Sequence, residues 1–343
     1  MAGPLLSIGM IVKNEEEQLR ACLESLRPIA DEIIIADTGS TDRTKEIAAE
    51  FTDKIYDFPW IDDFSAARNF VFSKATMDYI YTADADEVID AKNIELFKKV
   101  KAAMLPEIEI VQMYYLNLME TNTAYNSKRE MRPKLFKRLR TFEWINPVHE
   151  TIRLDPVIYD SGIEIQHLAK GSHAKRDFRT FQKALSKGMR LDKVLHGMYA
   201  KELFIAGDND DLAEAETFYK QSLSDATRTV DEKREAACVL ARLYRRTGNT
   251  AEFFRLSLHE AMSCPCSEMC VEIGDYFYEN GKYDEALCWY YDGIFETEAV
   301  ISVYTKGSEY LKKLADCYRK TGDGENAAKY EKQAEDWEVP EIV

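Results

Sequence analysis

The sequence predicts an α/β domain with a Rossmann-like, mostly parallel sheet, followed by an all-α domain of helical hairpins. Two observations predict this division. Up to about residue 110, short apolar segments alternate with segments of helical periodicity, an order typical of parallel sheets with helices on both faces. After Ala174 the strand signals stop, and a helical pattern with spaced glycines begins to repeat. We therefore predict domains at residues 1–172 and 173–343.

The predicted sheet is built from segments with strand-forming residues. Four of these segments alternate with helices, which are recognised by apolar residues at helical spacing. Four further extended segments predict an antiparallel extension at one edge of the sheet, with loops that could cover a site. The predicted strands are 5–12, 33–37, 54–57, 79–83, 108–118, 134–140, 151–154 and 163–167.

The helical part contains an internal repeat. Residues 240–248 resemble residues 314–322, and the two stretches are separated by two units of roughly 37 residues. Glycine is predicted to end the first helix of each hairpin, because its missing Cβ permits a left-handed backbone. The pattern resembles a tetratricopeptide repeat, whose concave surface suits an extended polypeptide. Such arrays also form homodimers. The glycines are Gly207, Gly248, Gly281 and Gly322.

The charge of the chain narrows its expected partners. Its formal net charge is −16, so it repels nucleic-acid phosphates and anionic lipid head groups, and neither is an expected main partner. No apolar run approaches the ~20 residues of a membrane-spanning helix, so we expect no membrane span. One local exception is a candidate basic strip formed by Lys134, Lys137, Arg138 and Arg140.

The cysteines and the first residues predict a cytoplasmic protein. Residues 1–12 lack the basic start and the small-residue cleavage site of a signal peptide. The seven cysteines are an odd number and are most simply reduced thiols. Cys264, Cys266 and Cys270 could suggest zinc, but their spacing does not match a common zinc motif. Small buried side chains in helices are the better interpretation.

Polar residues follow three of the predicted strands, at their carboxyl ends. In an open parallel sheet this edge is where ligands bind. Taken singly, Asn14, Ser40 and Asp42 could equally be helix caps. The polar residues are Lys13, Asn14 and Glu15 after the first strand, Asp37, Ser40 and Asp42 after the second, and Asp84 and Asp86 after the fourth.

The phosphate-binding motifs that the sequence lacks indicate the kind of ligand. Neither a glycine-rich dinucleotide turn nor a P-loop occurs, so a pyrophosphate would be neutralised by a divalent cation instead. Mg²⁺ and Mn²⁺ prefer carboxylate and phosphate oxygens. Asp84 and Asp86 supply two carboxylates on the same side of a strand end. Residues 208–210 repeat the D-x-D pattern, but in a predicted loop between helices.

These segments together resemble inverting nucleotide-sugar glycosyltransferases with the A-type fold, of the second sequence family. The resemblance covers roughly residues 5–170. With the helical repeats behind it, the chain is similar to repeat-containing glycosyltransferases that modify peptides or proteins, including bacteriocin S-glycosyltransferases. The segments that carry the resemblance are residues 7–16, 31–44, 64–69 and 82–87.

The resemblance implies a UDP-sugar donor and Mn²⁺ or Mg²⁺ as cofactor. It implies that Asp37 binds the uracil or ribose, that Asp84 contacts the ribose or donor sugar, and that Asp86 binds the metal. Residues 12–15 would line the base pocket, and residues 68–69 would orient the nucleotide or diphosphate. The implied donor-binding residues are Val12, Lys13, Asn14, Glu15, Asp37, Ser40, Arg68, Asn69, Asp84 and Ala85.

An inverting reaction also needs a general base on the acceptor side. Glu150, with His149 beside it, is our candidate, and a structural His-Glu pair is the alternative. The Glu-Asp and Gln-x-x-Arg-Trp motifs of processive relatives are not evident. By the same resemblance, His167 would complete the metal coordination; the alternative is a core histidine. The other histidines, which are His173, His196 and His259, are interpreted as surface or helix-packing residues.

The leading functional hypothesis is an enzyme that transfers a hexose or N-acetylhexosamine from a UDP-sugar to a peptide or protein. A second hypothesis is transfer to a saccharide, as in lipopolysaccharide core or cell-wall glycans. A third is a scaffold in which the repeats bind partners and the α/β domain is inert.

Overall fold

The computed structural model describes residues 3–117, 129–138, 144–149, 151–152, 156–168, 174–263 and 265–339. These residues form two compact units, one up to residue 168 and one from residue 174 onward. The first unit contains a central, mostly parallel sheet with helices, and the second is almost entirely helical. The predicted α/β sheet followed by an all-α array is therefore confirmed.

The strands of the first unit form where apolar and β-branched residues cluster. The strands are β1 Leu6–Val12, β2 Glu32–Asp37, β3 Ile55–Asp57, β4 Tyr79–Ala83, β5 Glu87–Val88, β6 Ile110–Asn117, β7 Arg129–Lys137, β8 Trp144–Ile145, β9 Thr151–Ile152 and β10 Ile158–His167. The helices of this unit are α1 Leu19–Leu26, α2 Thr44–Ala49, α3 Phe64–Lys74 and α4 Ala91–Ala103. Asp63 and Asp90 cap α3 and α4 by accepting from Ala66 N and Asn93 N.

The order of strands in the main sheet is β3-β2-β1-β4-β7-β6-β10-β5. The first four strands are parallel, so their carboxyl ends lie at one edge. Because β1 pairs with β2 on one side and β4 on the other, the strand order reverses at β1. The crevice at this point, beyond Val12 and Ala83, is where open α/β sheets bind ligands.

The predicted antiparallel extension is only partly correct. Strand β7 is antiparallel to both its neighbours, β4 and β6, but β10 runs parallel to β6. Strand β7 carries the chain back between β6 and β10, so β6 and β10 run in the same direction. The carboxyl end of β10 therefore lies at the same edge as the carboxyl ends of β1 and β4.

The second unit consists of helical hairpins. Three predicted glycines do end helices with a left-handed backbone, since φ is 74° at Gly248, 71° at Gly281 and 90° at Gly322. Gly207 also ends a helix, Lys193–Ala206, as predicted, but its backbone is not left-handed, since φ is −70°. There a Cβ would lie 2.5 Å from the Leu203 carbonyl oxygen, so glycine is needed for a close approach of backbone. The α-helices are α5 Ala174–Ser186, α6 Lys193–Ala206, α7 Asn209–Ser224, α8 Val230–Arg246, α9 Thr250–Ser263, α10 Ser267–Glu279, α11 Tyr283–Tyr291, α12 Ser308–Lys320 and α13 Gly324–Glu335, with a π-helix at Asp292–Glu296 and a 3₁₀-helix at Val303–Lys306.

Cysteine and histidine side chains in the second unit pack among helices. Cys238 Sγ and Cys266 Sγ are 3.5 Å apart and both are buried, as is Cys270. Cys264 lies outside the described residues. His196 is buried between Glu235 and Ser222, whereas His259 is exposed. Among the helices that the structure describes, none has both the length and the apolar character to cross a membrane.

Candidate active site

The loops after β1 and β2 are joined by hydrogen bonds. Asn14 N donates to Ser40 Oγ (2.9 Å), and Asn14 Oδ1 accepts from Thr41 N (2.8 Å). Glu15 N donates to Thr44 Oγ1 (2.7 Å). Asn14 is left-handed, with φ of 56°, a conformation that asparagine tolerates. The alternative that Asn14 caps the next helix is wrong, because α1 begins at Leu19, five positions beyond it, and its N-cap is Gln18.

Asp37, which the resemblance implies binds the uracil or ribose, is the last residue of β2 and is bonded to the loop that follows it. Its side chain is fully buried, and Oδ1 accepts from Gly39 N (3.0 Å) and Ser40 N (2.9 Å). The nearby Val12 carbonyl accepts from Thr38 N (3.0 Å), whereas Lys13 is exposed. Asp37 thus shapes the turn, and a nucleoside would use whatever acceptor capacity the carboxylate retains.

Asp84 follows β4 and pairs with Arg68 of α3. Arg68 Nη2 lies 3.2 Å from Asp84 Oδ1, and the guanidinium carbon is 5.2 Å from the centre of the Trp144 ring. Burial opposes ionisation of Asp84, but the charges of Arg68 and Lys134 outweigh it and hold the pKa of this carboxyl well below its usual range. Asp84 therefore carries a negative charge at neutral pH, and 38% of its side chain is exposed.

Asn69, next to Arg68, holds the short strand β8. Its Nδ2 donates to the Trp144 carbonyl and its Oδ1 accepts from Trp144 N, both at 2.9 Å. Both ends of the amide are therefore bonded to one residue's backbone. These described contacts indicate that Asn69 holds Trp144 beside Arg68.

Asp86 and His167 meet at the edge of the sheet, although they are far apart in sequence. His167 ends β10, and its Nε2 lies 3.0 Å from Asp86 Oδ2. The imidazole packs on the Tyr115 ring, with 5.0 Å between centroids. Ala85, between the two aspartates, is buried. The parallel pairing of β10 with β6 brings His167 to this edge.

The Asp86 and His167 pair fits a divalent cation. Two ligands at right angles on an ion with bonds of ~2.1 Å lie ~3 Å apart, which matches the separation of Oδ2 and Nε2. The described part of the chain contains no group of three or more His, Cys, Asp or Glu side chains arranged to hold a metal. A site with two protein ligands suits Mg²⁺ or Mn²⁺ whose remaining positions are taken by water and substrate phosphate.

Lys134 and Glu87 form an ion pair that the sequence interpretation missed. Their side chains are 6% and 2% exposed, directly beside the Asp84–Asp86 turn. Burial raises the pKa of Glu87 to about 6, although the Lys134 charge acts against the increase. The position of Lys134 within a strand, next to Leu135 and Phe136, was the available signal, because a lysine in a buried strand needs a partner.

The candidate basic strip does not include an exposed Lys134. Lys134 is buried, and its neighbours Lys137 and Arg138 donate to the backbone carbonyls of Pro106 and Met77. These residues therefore hold strand β7 in place. Arg140 lies outside the described residues.

The segment of the candidate base is described only in part. The Pro147 carbonyl accepts from Phe64 N (3.0 Å), which ties this segment to the start of α3. His149 is half-buried, and its backbone is left-handed with φ of 46°. Glu150 and His173 lie outside the described residues.

A parallel sheet with an ionised carboxylate and a metal-compatible pair beyond its switch point is typical of ligand-binding α/β domains. A family comparison makes this class specific. Residues 7–154 match the family described as "Glycosyl transferase family 2", and this part of the chain is a domain of that family.

Three curated proteins are similar to parts of the chain. A TPR repeat-containing protein of Synechococcus elongatus is 35% identical over 43% of this chain and 35% of its own length. The SPbeta prophage-derived glycosyltransferase SunS of Bacillus subtilis is 38% identical over 28% of this chain and 24% of its own length. The lipopolysaccharide core biosynthesis glycosyltransferase LpsC of Rhizobium meliloti is 34% identical over 29% of this chain and 37% of its own length. The chain thus spans well under half of each relative.

Proposed function

We propose that the chain is a glycosyltransferase that moves a hexose or N-acetylhexosamine from a UDP-sugar to a peptide or protein, with the help of Mn²⁺ or Mg²⁺. One observation carries the proposal. Two pairs, Asp84 with Arg68 and Asp86 with His167, lie at the switch point of the sheet in a family 2 domain.

In this proposal the two pairs of residues bind different parts of the donor. Asp86 and His167 hold the cation, which when bound supplies positive charge to the diphosphate. Asp84 accepts hydrogen bonds from ribose or sugar hydroxyls, since its carboxylate is ionised and partly exposed. Arg68 holds Asp84 in place and adds positive charge on the diphosphate side.

Transfer with inversion is the proposed reaction. The bond between the anomeric carbon and the β-phosphate oxygen breaks, and its electron pair leaves with UDP. The acceptor atom bonds to the opposite face of the carbon and loses its proton to a base. Glu150 remains the proposed base, with His149 beside it. The left-handed backbone of His149 supports a functional role for this segment, because such conformations cluster at active sites.

The helical unit and the resemblance to peptide-modifying enzymes support a polypeptide acceptor. Helical-hairpin arrays bind extended polypeptides along their stacked repeats. The similarity to the TPR repeat-containing relative is in keeping with such an array. A saccharide acceptor is the second candidate, and the similarity to LpsC favours it. A glycan array and a peptide library, each screened with the same donor, would separate the two.

Hydrolysis of the donor tests the enzyme proposal without knowledge of the acceptor. We expect the purified chain to release UDP from at least one UDP-sugar when Mn²⁺ or Mg²⁺ is present, and to stop when EDTA is added. Calorimetry should also detect UDP binding that depends on the cation. An inert scaffold would give neither signal, and absence of both would overturn the proposal.

A further inference from the structure

We propose that the buried Lys134–Glu87 pair is a brace that positions Asp84 and Asp86 for the donor. The inference rests on the proposed function, because it concerns how the same site is held. In it, Lys134 and Glu87 are positioning residues that do not touch the substrate.

The brace joins two strands to the turn that carries the aspartates. Lys134 belongs to β7, the neighbour of β4, and its ammonium contacts the Glu87 carboxylate at Oε1. The same ammonium lies 3.4 Å from the carbonyl oxygen of Thr82, the second-last residue of β4. One buried cation therefore contacts both the strand before the turn and the residue after it.

Glu87 then closes the turn from its other side. Its Oε2 accepts from Asp84 N (3.3 Å), and its own backbone N donates to the Asp84 carbonyl (3.1 Å). Cys22 Sγ donates to the same carbonyl (3.3 Å). On the far side, the Asp86 carbonyl accepts from Leu168 N (2.8 Å), next to His167. The backbone of the aspartate turn is thus held at both ends.

The Lys134–Glu87 pair also determines which of the neighbouring carboxylates are available to bind the ligand. Three acidic side chains within four residues repel one another, and any of them has the chemistry to bind a cation. Both oxygens of Glu87 are occupied, one by Lys134 and one by Asp84 N. Asp84 and Asp86 keep exposed side-chain surface of 38% and 15%, against 2% for Glu87. Lys134 thereby withdraws Glu87 from competition for the metal.

A second ion pair at the opposite edge of the sheet provides a matched control. Lys54 pairs with Glu32, which begins β2 and whose side chain is 2% exposed. Glu32 also accepts from Thr76 N (2.9 Å), so this pair likewise joins neighbouring segments. It lies at the amino end of the strands, away from the switch point.

Double variants separate positioning from stability. Lys134→Met alone leaves Glu87 buried without its cation, so the deciding variant is Lys134→Met with Glu87→Gln, which removes both charges together. Its control is Lys54→Met with Glu32→Gln. UDP binding in the presence of Mn²⁺ is measured by calorimetry, and Tm is measured on the same samples. Lys134→Arg, which keeps the charge, is the conservative variant.

We expect the Lys134/Glu87 double variant to bind UDP with Mn²⁺ about tenfold or more weakly, as found when partners of metal ligands are removed. Lys134→Arg should weaken UDP binding less than the Lys134/Glu87 double variant does. The Lys54/Glu32 control should bind UDP with unchanged affinity even where its Tm falls. Unchanged affinity in the Lys134/Glu87 double variant would overturn the brace while leaving the proposed function intact. Failure of the unaltered chain to bind UDP with Mn²⁺ would overturn both.

Discussion

The chain contains the D-x-D pattern twice, in two environments that give it different chemistry. Asp84 and Asp86 follow a buried strand, where their carboxylates meet Arg68 and His167. Asp208 and Asp210 begin helix α7 in the second unit.

At the second site the aspartates serve the helix. Asp208 accepts from the backbone N of Asp210 (2.9 Å) and Asp211 (3.0 Å), and Asp211 completes a capping box. Lys175 contacts both Asp208 and Asp211. The carboxylates of Asp208 and Asp211 are occupied by backbone amides and a lysine, as expected of a helix N-terminus. The pattern alone therefore does not identify a metal site; the element that precedes it does.

The largest effect that separates the two sites is expected from Asp86→Asn. Removing the charge of this proposed metal ligand should lower kcat/KM for donor hydrolysis by about 100-fold, because a cation that stabilises the leaving diphosphate would be held less tightly. Asp210→Asn changes the same residue type in the same pattern and should leave kcat/KM unchanged. Equal activity of the two variants would remove the distinction between the sites.

A smaller effect is expected from His167→Ala. If His167 is a ligand as proposed, its loss should raise the Mn²⁺ concentration needed for half-maximal activity about tenfold, with saturating Mn²⁺ restoring much of the rate. His259→Ala, at an exposed position in the second unit, is the control. An unchanged Mn²⁺ requirement would mean that His167 is a core histidine that only supports Asp86.

The sequence could predict those parts of the fold and site that depend on local pattern. The order of strands and helices follows from apolar spacing, and the strand-end aspartates follow from their position after β4. Glycines at left-handed helix ends were also predictable at Gly248, Gly281 and Gly322, since only a local backbone requirement is involved.

The features that the sequence could not predict depend on distant partners. The parallel pairing of β10 with β6 joins two strands that are separated along the chain by β7, and no local pattern encodes it. The sequence pattern places Lys134 in a candidate basic strip, because its partner, Glu87, lies 47 positions away. Gly207 ends α6 as predicted, but its backbone is not left-handed, and a Cβ at this position would meet the Leu203 carbonyl. Pairing between strands and side chains that are distant in sequence therefore cannot be predicted from local pattern alone.

The capping role of Asp208 in the second D-x-D pattern is tested by Asp208→Ala. Loss of the cap should lower the Tm of the helical transition by a few degrees, because the first backbone amides of α7 lose their acceptor. Circular dichroism at 222 nm measures this transition. Donor hydrolysis should be unchanged, which is the reverse of the result expected for Asp86→Asn. Lost hydrolysis with an unaltered Tm would contradict the capping role.

The smallest expected effect is a dependence on pH. The hydrogen bond from Lys175 and that from the Asp211 amide hold the pKa of Asp208 below its usual value of 3.8. Because the folded pKa is lower than the unfolded one, the stabilisation is present above about pH 4 and is lost as the pH falls further. The difference in Tm between the unaltered chain and Asp208→Asn should therefore shrink between pH 5 and pH 3. A difference that stays constant would show that the cap acts through its neutral hydrogen bonds, and the charge on this second D-x-D would then have no part in the stability of α7.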